Sequence, residues 1–168
     1  MITVDIYSFN QELIQHFFNY KDGELYWKIS PKAGVNKGDQ AGYVEPRGYK
    51  VIKVLSKKYK AHKLIFLYHR GYMPKFIDHI NNNRVDNRIE NLREATRIQN
   101  NQNANIRKDN TSGIKGVFYD KRNKKWIACL HYNNQRIIKR FDCFEEAKKE
   151  IRKMREIYHK EFCNHGYV

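Results

Sequence analysis

The chain has 168 residues, with 33 Lys or Arg against 18 Asp or Glu, a formal charge of +15, and 14% aromatic residues. That length holds one domain or two small ones, the aromatic content argues against disorder, and the charge makes a polyanion the first partner to consider, nucleic acid ahead of membrane. No apolar run approaches the ~20 residues of a membrane span. Met1-Ile2-Thr3-Val4-Asp5 lacks the basic-then-apolar layout of a secretory leader, and Cys129, Cys143 and Cys163 are too widely spaced for a zinc knuckle or a disulfide framework. The basic excess is spread along the chain, at +4 for residues 1–60, +5 for 61–108 and +6 for 109–168. Such a spread suits a molecule lying along a phosphate backbone.

Phe9, Leu13, Phe17 and Tyr20 have helical spacing and predict a helix over 9–20. After a turn at Asp22-Gly23, residues 25–29 read as a strand, and a loop-rich stretch with Gly34, Gly38, Gly42 and Gly48 follows. Residues 49–54 and 58–61 predict a hairpin, whose Lys53, Lys57, Lys58 and Lys60 could add DNA contacts. A helix is then expected over 62–69, stopping near Gly71. Residues 81–110 are crowded with Asn. A low-complexity linker would explain that composition, yet Ile89, Leu92 and Ile98 recur and Thr96-x-x-Gln99 resembles a capping box, which predicts a turn at 86–92 and a helix near 96–105. Residues 106–113 lack apolar periodicity and read as a linker. Strands are expected at 116–119, 125–132 and 135–141, with turns at Asn123 and Asn133-Asn134. Asp142-x-x-Glu145 then has N-cap chemistry for a helix presenting Ala147, Ile151, Met154, Tyr158 and Phe162 on one face.

The segment Ile77-Asp78-His79 through Glu90-Asn91-Leu92-Arg93 to Gln99-Asn100 carries the chemistry. Asp78 and Asn100 offer hard oxygens suited to Mg²⁺ or Mn²⁺, and His79 has an ordinary pKa near ~6.5, suited to accepting a proton from water. Asn91 reads as a brace for the loop that aims His79. Each residue alone has a bland explanation: Asn87 and Asn91 as turn formers, His62 and His69 as structural. The four residues Asp78, His79, Asn91 and Asn100 in this order resemble the HNH, or ββα-metal, nuclease motif of phage and intron-encoded homing endonucleases, over the run from Ala61 to Asn100. The resemblance implies His79 and Asn91 as catalytic residues, Asp78 and Asn100 as ligands of one Mg²⁺ or Mn²⁺, and hydrolysis to 5′-phosphate and 3′-hydroxyl ends. Ala104 stands where some members carry a further ligand, which favours the two-ligand site. Arg93 and Arg97 would add charge near the scissile phosphate.

Residues from Ser112 to about 163 resemble the AP2-type DNA-binding domain through Ser112-Gly113-Ile114-Lys115-Gly116-Val117, Lys125-Trp126-Ile127-Ala128 and Arg140-Phe141-Asp142. The resemblance implies a three-stranded sheet in the major groove with a helix behind it. Strand alternation puts Trp126, Ala128 and Leu130 against the helix and leaves Ile127, Cys129 and His131 outward.

Together these readings predict an α+β chain: an N-terminal β-rich segment leading into a ββα-metal core (1–105), a linker (106–113), and a three-stranded antiparallel sheet on one helix (114–168). Double-stranded DNA is the expected partner, contacted by Arg93, Arg97, Arg107, Lys108, Lys115, Arg122, Lys125, His131, Arg136 and Lys139. No small-molecule cofactor and no membrane are expected, and a monomer on DNA in the cytoplasm of a bacterial or phage-infected cell is the implied setting. The alternative is a catalytically silent DNA-binding regulator on the same scaffold.

Overall fold

Asn10 opens the first helix of the computed structural model, which describes residues 9–166; the Met1–Asp5 stretch examined for a leader lies outside them. The Asn10 Oδ1 accepts the Leu13 N–H at 3.0 Å and caps α1, Gln11–Phe17. The helix ends earlier than its apolar spacing suggests. Phe18 turns extended and starts β1 (Phe18–Lys21), paired antiparallel with β2 (Glu24–Trp27). The competing signal is local. Asp22 and Gly23 both adopt positive φ, 48° and 84°, and close a two-residue hairpin whose twist matches its strands.

A second sheet in the order β3-β4-β5 follows, with β3 at Tyr43–Val44, β4 at Lys50–Val54 and β5 at Lys57–Lys60. Leu55 and Ser56, both at positive φ, make its tight turn. Directly after β5 comes α2, Ala61–Arg70, stopped by Gly71 at φ 79°, whose N–H reaches back to the Leu67 carbonyl. Leu64, Ile65, Phe66 and Leu67 of α2 are buried with Ile14, Phe18, Leu25, Ile52 and Val54 in the first core. The antiparallel pair β6 (Ile77–His79) and β7 (Leu92–Glu94) adds Ile77 and Leu92 to it. A single turn of 3₁₀-helix at Ile89–Asn91 leads into β7.

The chain divides into two units, Met1–Thr96 and Arg97–Val168. The division falls before α3 (Arg97–Asn103), a helix the sequence reading carried with the first domain. Its bonds run to the second unit: Lys115 Nζ donates to the Gln102 carbonyl at 2.7 Å, and Asn164 Nδ2 to that of Asn103 at 2.7 Å. The stretch read as a linker is also tied in at its end. The Ser112 Oγ donates to the Val117 carbonyl at 2.6 Å and accepts the Ile114 N–H at 3.2 Å.

The second unit's sheet has the order β10-β9-β8, with β8 at Val117–Asp120, β9 at Lys125–Tyr132 and β10 at Gln135–Phe141. Asn133 and Asn134, at φ 48° and 59°, turn β9 into β10. One face packs Val117, Ala128 and Leu130 on Ala147, Ile151 and Met154 of α4, Phe144–His159. Asp142 does not cap this helix as its spacing suggests. Cys143 occupies the cap with no side-chain bond, and the Asp142 carboxylate pairs with Lys125. Ile127, expected outward, is 4% exposed, with Phe118 and Arg140 beside it in register on the neighbouring strands. The chain is thus α+β, four α-helices with small antiparallel sheets among the described residues, and no described helix is long and apolar enough to cross a membrane.

Gly23 links the first hairpin to the segment that follows. A Cβ there would lie 2.8 Å from the Arg88 nitrogen and 3.1 Å from the Asn87 carbonyl carbon, in addition to the cost of positive φ. Gly23→Ala is expected to lower unfolding free energy by about 2 kcal/mol, measurable by urea denaturation, because backbone must move on both sides of the contact.

Candidate active site

β6 carries Asp78 and His79 side by side, and its partner β7 sets Asp78 opposite Arg93 and His79 opposite Leu92. Both residues of the pair are buried, at 6% exposure each. The Asp78 Oδ2 accepts from Arg93 Nε at 2.9 Å and Nη2 at 2.8 Å. Arg93, expected as a DNA contact, is therefore first a brace for the carboxylate. Removing one side of so enclosed a pair costs about 3–5 kcal/mol.

The loop from Ile80 to Asn91 is a network of amides. Asn91 Nδ2 donates to Asn81 Oδ1 at 2.9 Å and to the Asp86 carbonyl at 2.8 Å, while its Oδ1 accepts the Asn81 N–H at 3.0 Å. Asn81 Nδ2 donates to Asp86 Oδ2 at 2.7 Å, and Arg88 grips the same carboxylate through Nε and Nη2. Those Arg88 bonds, ahead of the Asn81 bond, hold the Asp86 carboxyl well below the ordinary range. Asn91 therefore ties the loop to itself, and the residue on the histidine ring is Asn87.

Asn87 is 1% exposed, and its Oδ1 lies 3.0 Å from His79 Nε2. Its Nδ2 faces the Val85 carbonyl at 3.4 Å, so the oxygen is the atom turned to the ring. Nε2 must then carry the hydrogen, which leaves Nδ1 of the neutral imidazole as the proton acceptor. Burial lowers the pKa of His79, against upward contributions from Asn87 and Asp78. Sequence reasoning took Asn87 for a turn former, since nothing in its spacing separates it from the other asparagines.

His62, on α2, meets His79 edge-on with ring centroids 5.0 Å apart, and Tyr49 lies 5.6 Å from His62 and 6.3 Å from His79. Burial, then the nearby His79, pushes the His62 pKa down to about 3. His62 is thus an uncharged wall beside the acceptor. Asn100 stands on α3 in the second unit, as does Arg97, exposed at its first residue. Among the described residues no three of His, Cys, Asp and Glu gather as a metal cluster.

The basic residues expected of the second unit separate by strand parity. His131 and Arg136 pair in register on the sheet face away from α4, both exposed, and Arg136 Nε donates to Cys129 Sγ at 3.0 Å. Arg140, not singled out from sequence, shares that face opposite Ile127, and its two-residue step from Arg136 and Ile138 was the signal available. Arg122 is exposed in the β8–β9 turn. Lys139 does not belong to this face, because it lies opposite Ala128, on the helix side, and pairs with Glu150 of α4. Lys115 is also withdrawn. Its ammonium is bonded to carbonyls of Gln102 and Ala104, and burial followed by Arg155 lowers its pKa to about 8. Lys125 pairs with Asp142 and Arg107 with Asp109, while Lys108 is exposed.

Residues 59–102 match the HNH endonuclease family. The matched HNH segment runs from β5 through α2, β6 and β7 into α3 and so contains Asp78, His79, Asn87, Asn91 and Asn100. A stretch of 58 residues is 40% identical to Protein 3.8 of Escherichia phage T7, covering 33% of this chain and 48% of that protein. The alignment thus spans about half the length of this relative. No solved structure matches. These matches support an HNH nuclease domain in the chain.

Two outcomes are expected at this site. Asn87→Leu removes the amide oxygen that Nε2 faces, so the imidazole tautomer seen in long-range ¹H–¹⁵N spectra should change from a single Nε2–H form to a mixture. His62 stays neutral in the fold and takes a proton near pH ~6.5 when unfolded. The stability it contributes is therefore complete above that pH and is lost as pH falls toward about 3. Melting temperatures recorded from neutral to acid pH should show a shallower acid fall for His62→Phe.

Proposed function

We propose that the chain is a divalent-metal-dependent DNA endonuclease that hydrolyses phosphodiester bonds with His79 as general base. The observation that carries this reading is the buried His79 ring, held by Asn87 through Nε2 so that Nδ1 accepts, beside a carboxylate in a segment that matches HNH endonucleases. Burial lowers the His79 pKa, which favours the neutral ring that a general base needs. Arg93 fixes the Asp78 carboxylate through one of its oxygens, Oδ2. Asp78 is a hard oxygen donor and fits a magnesium-type ion better than zinc. Such an ion, when bound, would neutralise charge on the phosphate and leaving oxygen. Asn100 is the second ligand we assign by resemblance, and products with 5′-phosphate and 3′-hydroxyl ends follow from the same source.

The second unit is our candidate for the element that prefers one site over another. Its sheet presents His131, Arg136 and Arg140 on the face that α4 leaves open, and a ribbon of strands fits a groove ~12 Å wide. The AP2-like reading and the homing-type origin rest on these residues together with the sequence resemblance. One such site per chain acts on one strand at a time, so a monomer on DNA would nick.

Supercoiled plasmid incubated with the full chain and Mg²⁺ tests the reading directly. Nicked circles should form, EDTA should stop their formation, and His79→Ala should slow it by ~10²-fold or more while duplex binding persists. Unchanged cleavage by His79→Ala, or cleavage that survives chelation, would overturn it.

A further inference from the structure

One cluster beside the histidines is not used by the chemistry above. Tyr49 packs edge-on against His62 and near His79, at 5.6 and 6.3 Å between ring centroids. Over the same tyrosine ring stand two cations, Lys60 with its Nζ 3.9 Å from the centroid and Arg84 with its Cζ at 5.0 Å. They come from different places: Lys60 ends β5 just ahead of α2, and Arg84 lies in the amide loop after His79. The Arg84 Nη1 donates to the Arg47 carbonyl at 2.9 Å, which ties that loop to the turn before Tyr49. Gly48 supplies the positive φ of 79° that this turn adopts.

The two cations of this cluster meet on one aromatic ring with no neutralising carboxylate among the described residues. Arg88 and Arg93 each have a carboxylate within 2.8 Å, whereas among the described residues no carboxylate pairs with Lys60 or Arg84. Burial, then Lys63 and Arg84, lowers the Lys60 pKa, with Arg47 adding to that and Glu45 as the one opposing carboxylate. A tyrosine face holds cations without neutralising them. Arg84 keeps further guanidinium donors beyond the one given to Arg47, and Lys60 is exposed. Like charges gathered on a neutral platform gain energy when an anion arrives between them and solvent is displaced.

We propose that Tyr49, Lys60 and Arg84 form a phosphate-binding subsite that holds a backbone phosphate of duplex DNA neighbouring the one presented to His79. The inference rests on the reading of His79 as the reacting base, because its ring fixes where the cut occurs relative to Tyr49. Tyr49 is a positioning residue and the two cations are the groups that touch substrate. The subsite sets register: it grips the strand one step away from the cut and turns the scissile phosphate toward the histidine.

Binding of a short mixed-sequence duplex to the full chain, measured by fluorescence anisotropy in EDTA over a range of KCl, tests this independently of cleavage. Each lost phosphate contact should reduce the slope of log affinity against log salt by ~0.9. Lys60→Gln and Arg84→Gln should each remove about one such unit and the double variant about two. Lys32→Gln, an equal charge change outside the cluster, should leave the slope near the native value. Tyr49→Leu should weaken binding several-fold and Tyr49→Phe should restore it, since the ring and not the hydroxyl carries the cations. An unchanged slope in the double variant, or the same change in Lys32→Gln, would overturn the subsite. If the plasmid remains uncut by the native chain while the slopes follow the expected order, the nuclease reading fails and the phosphate grip stands.

Discussion

The geometry around His79 depends on one hydrogen bond, from a buried ring nitrogen to the Asn87 amide oxygen. A free histidine is a poor tool for accepting one proton in one direction, because its two nitrogens exchange roles. Tying Nε2 to an oxygen removes that ambiguity and assigns the acceptor to the other nitrogen. The bond in turn needs an amide that cannot rotate, and Asn87 is fixed by enclosure and by its second contact with the Val85 carbonyl. The surrounding loop supplies the enclosure, with Asn91, Asn81 and Asp86 closing on one another.

This explains a composition that otherwise looks wasteful. Short polar side chains in a loop cost little to order and can replace the backbone partners that a strand or helix would provide. The segment between β6 and β7 spends its asparagines this way, and the 3₁₀ turn at Ile89–Asn91 returns the chain to the sheet. Gly23 then presses the first hairpin against Asn87 and Arg88, so the N-terminal strands act as a back-stop for the amide on the histidine. The first hairpin and the loop around His79 are thus joined by backbone contact at Gly23 and by the Tyr20 hydroxyl, which accepts the Ile89 N–H at 3.2 Å.

Much of this architecture was legible in the sequence where local and tertiary signals agree. The strands over 125–132 and 135–141 and the helix after Asp142 follow from alternation and from a 3.6-residue apolar stripe. Phe18 shows the failure of the same logic: apolar spacing extended the first helix, yet the Asp22-Gly23 turn had already committed those residues to a strand. Order and residue type singled out Asp78, His79 and Asn91, and the hydrogen bonds of Asn91 hold its own loop together, while the catalytic roles given to His79 and Asn91 and the ligand role of Asp78 are proposals. Asn87 could not be singled out, because which of several asparagines reaches the ring depends on how the loop closes in three dimensions. Lys139 was misassigned for a simpler reason, since its place opposite Ala128 fixes it to the helix side of the sheet.

The pairing of Arg93 with Asp78 also sets the local charge around the carboxylate. A lone buried carboxylate would present a local negative potential to an approaching polyanion. With the guanidinium already against Oδ2, that repulsion is cancelled from within the chain. Under the proposed nuclease reading, nucleic acid would then be able to settle on this face whether or not the ion had already arrived.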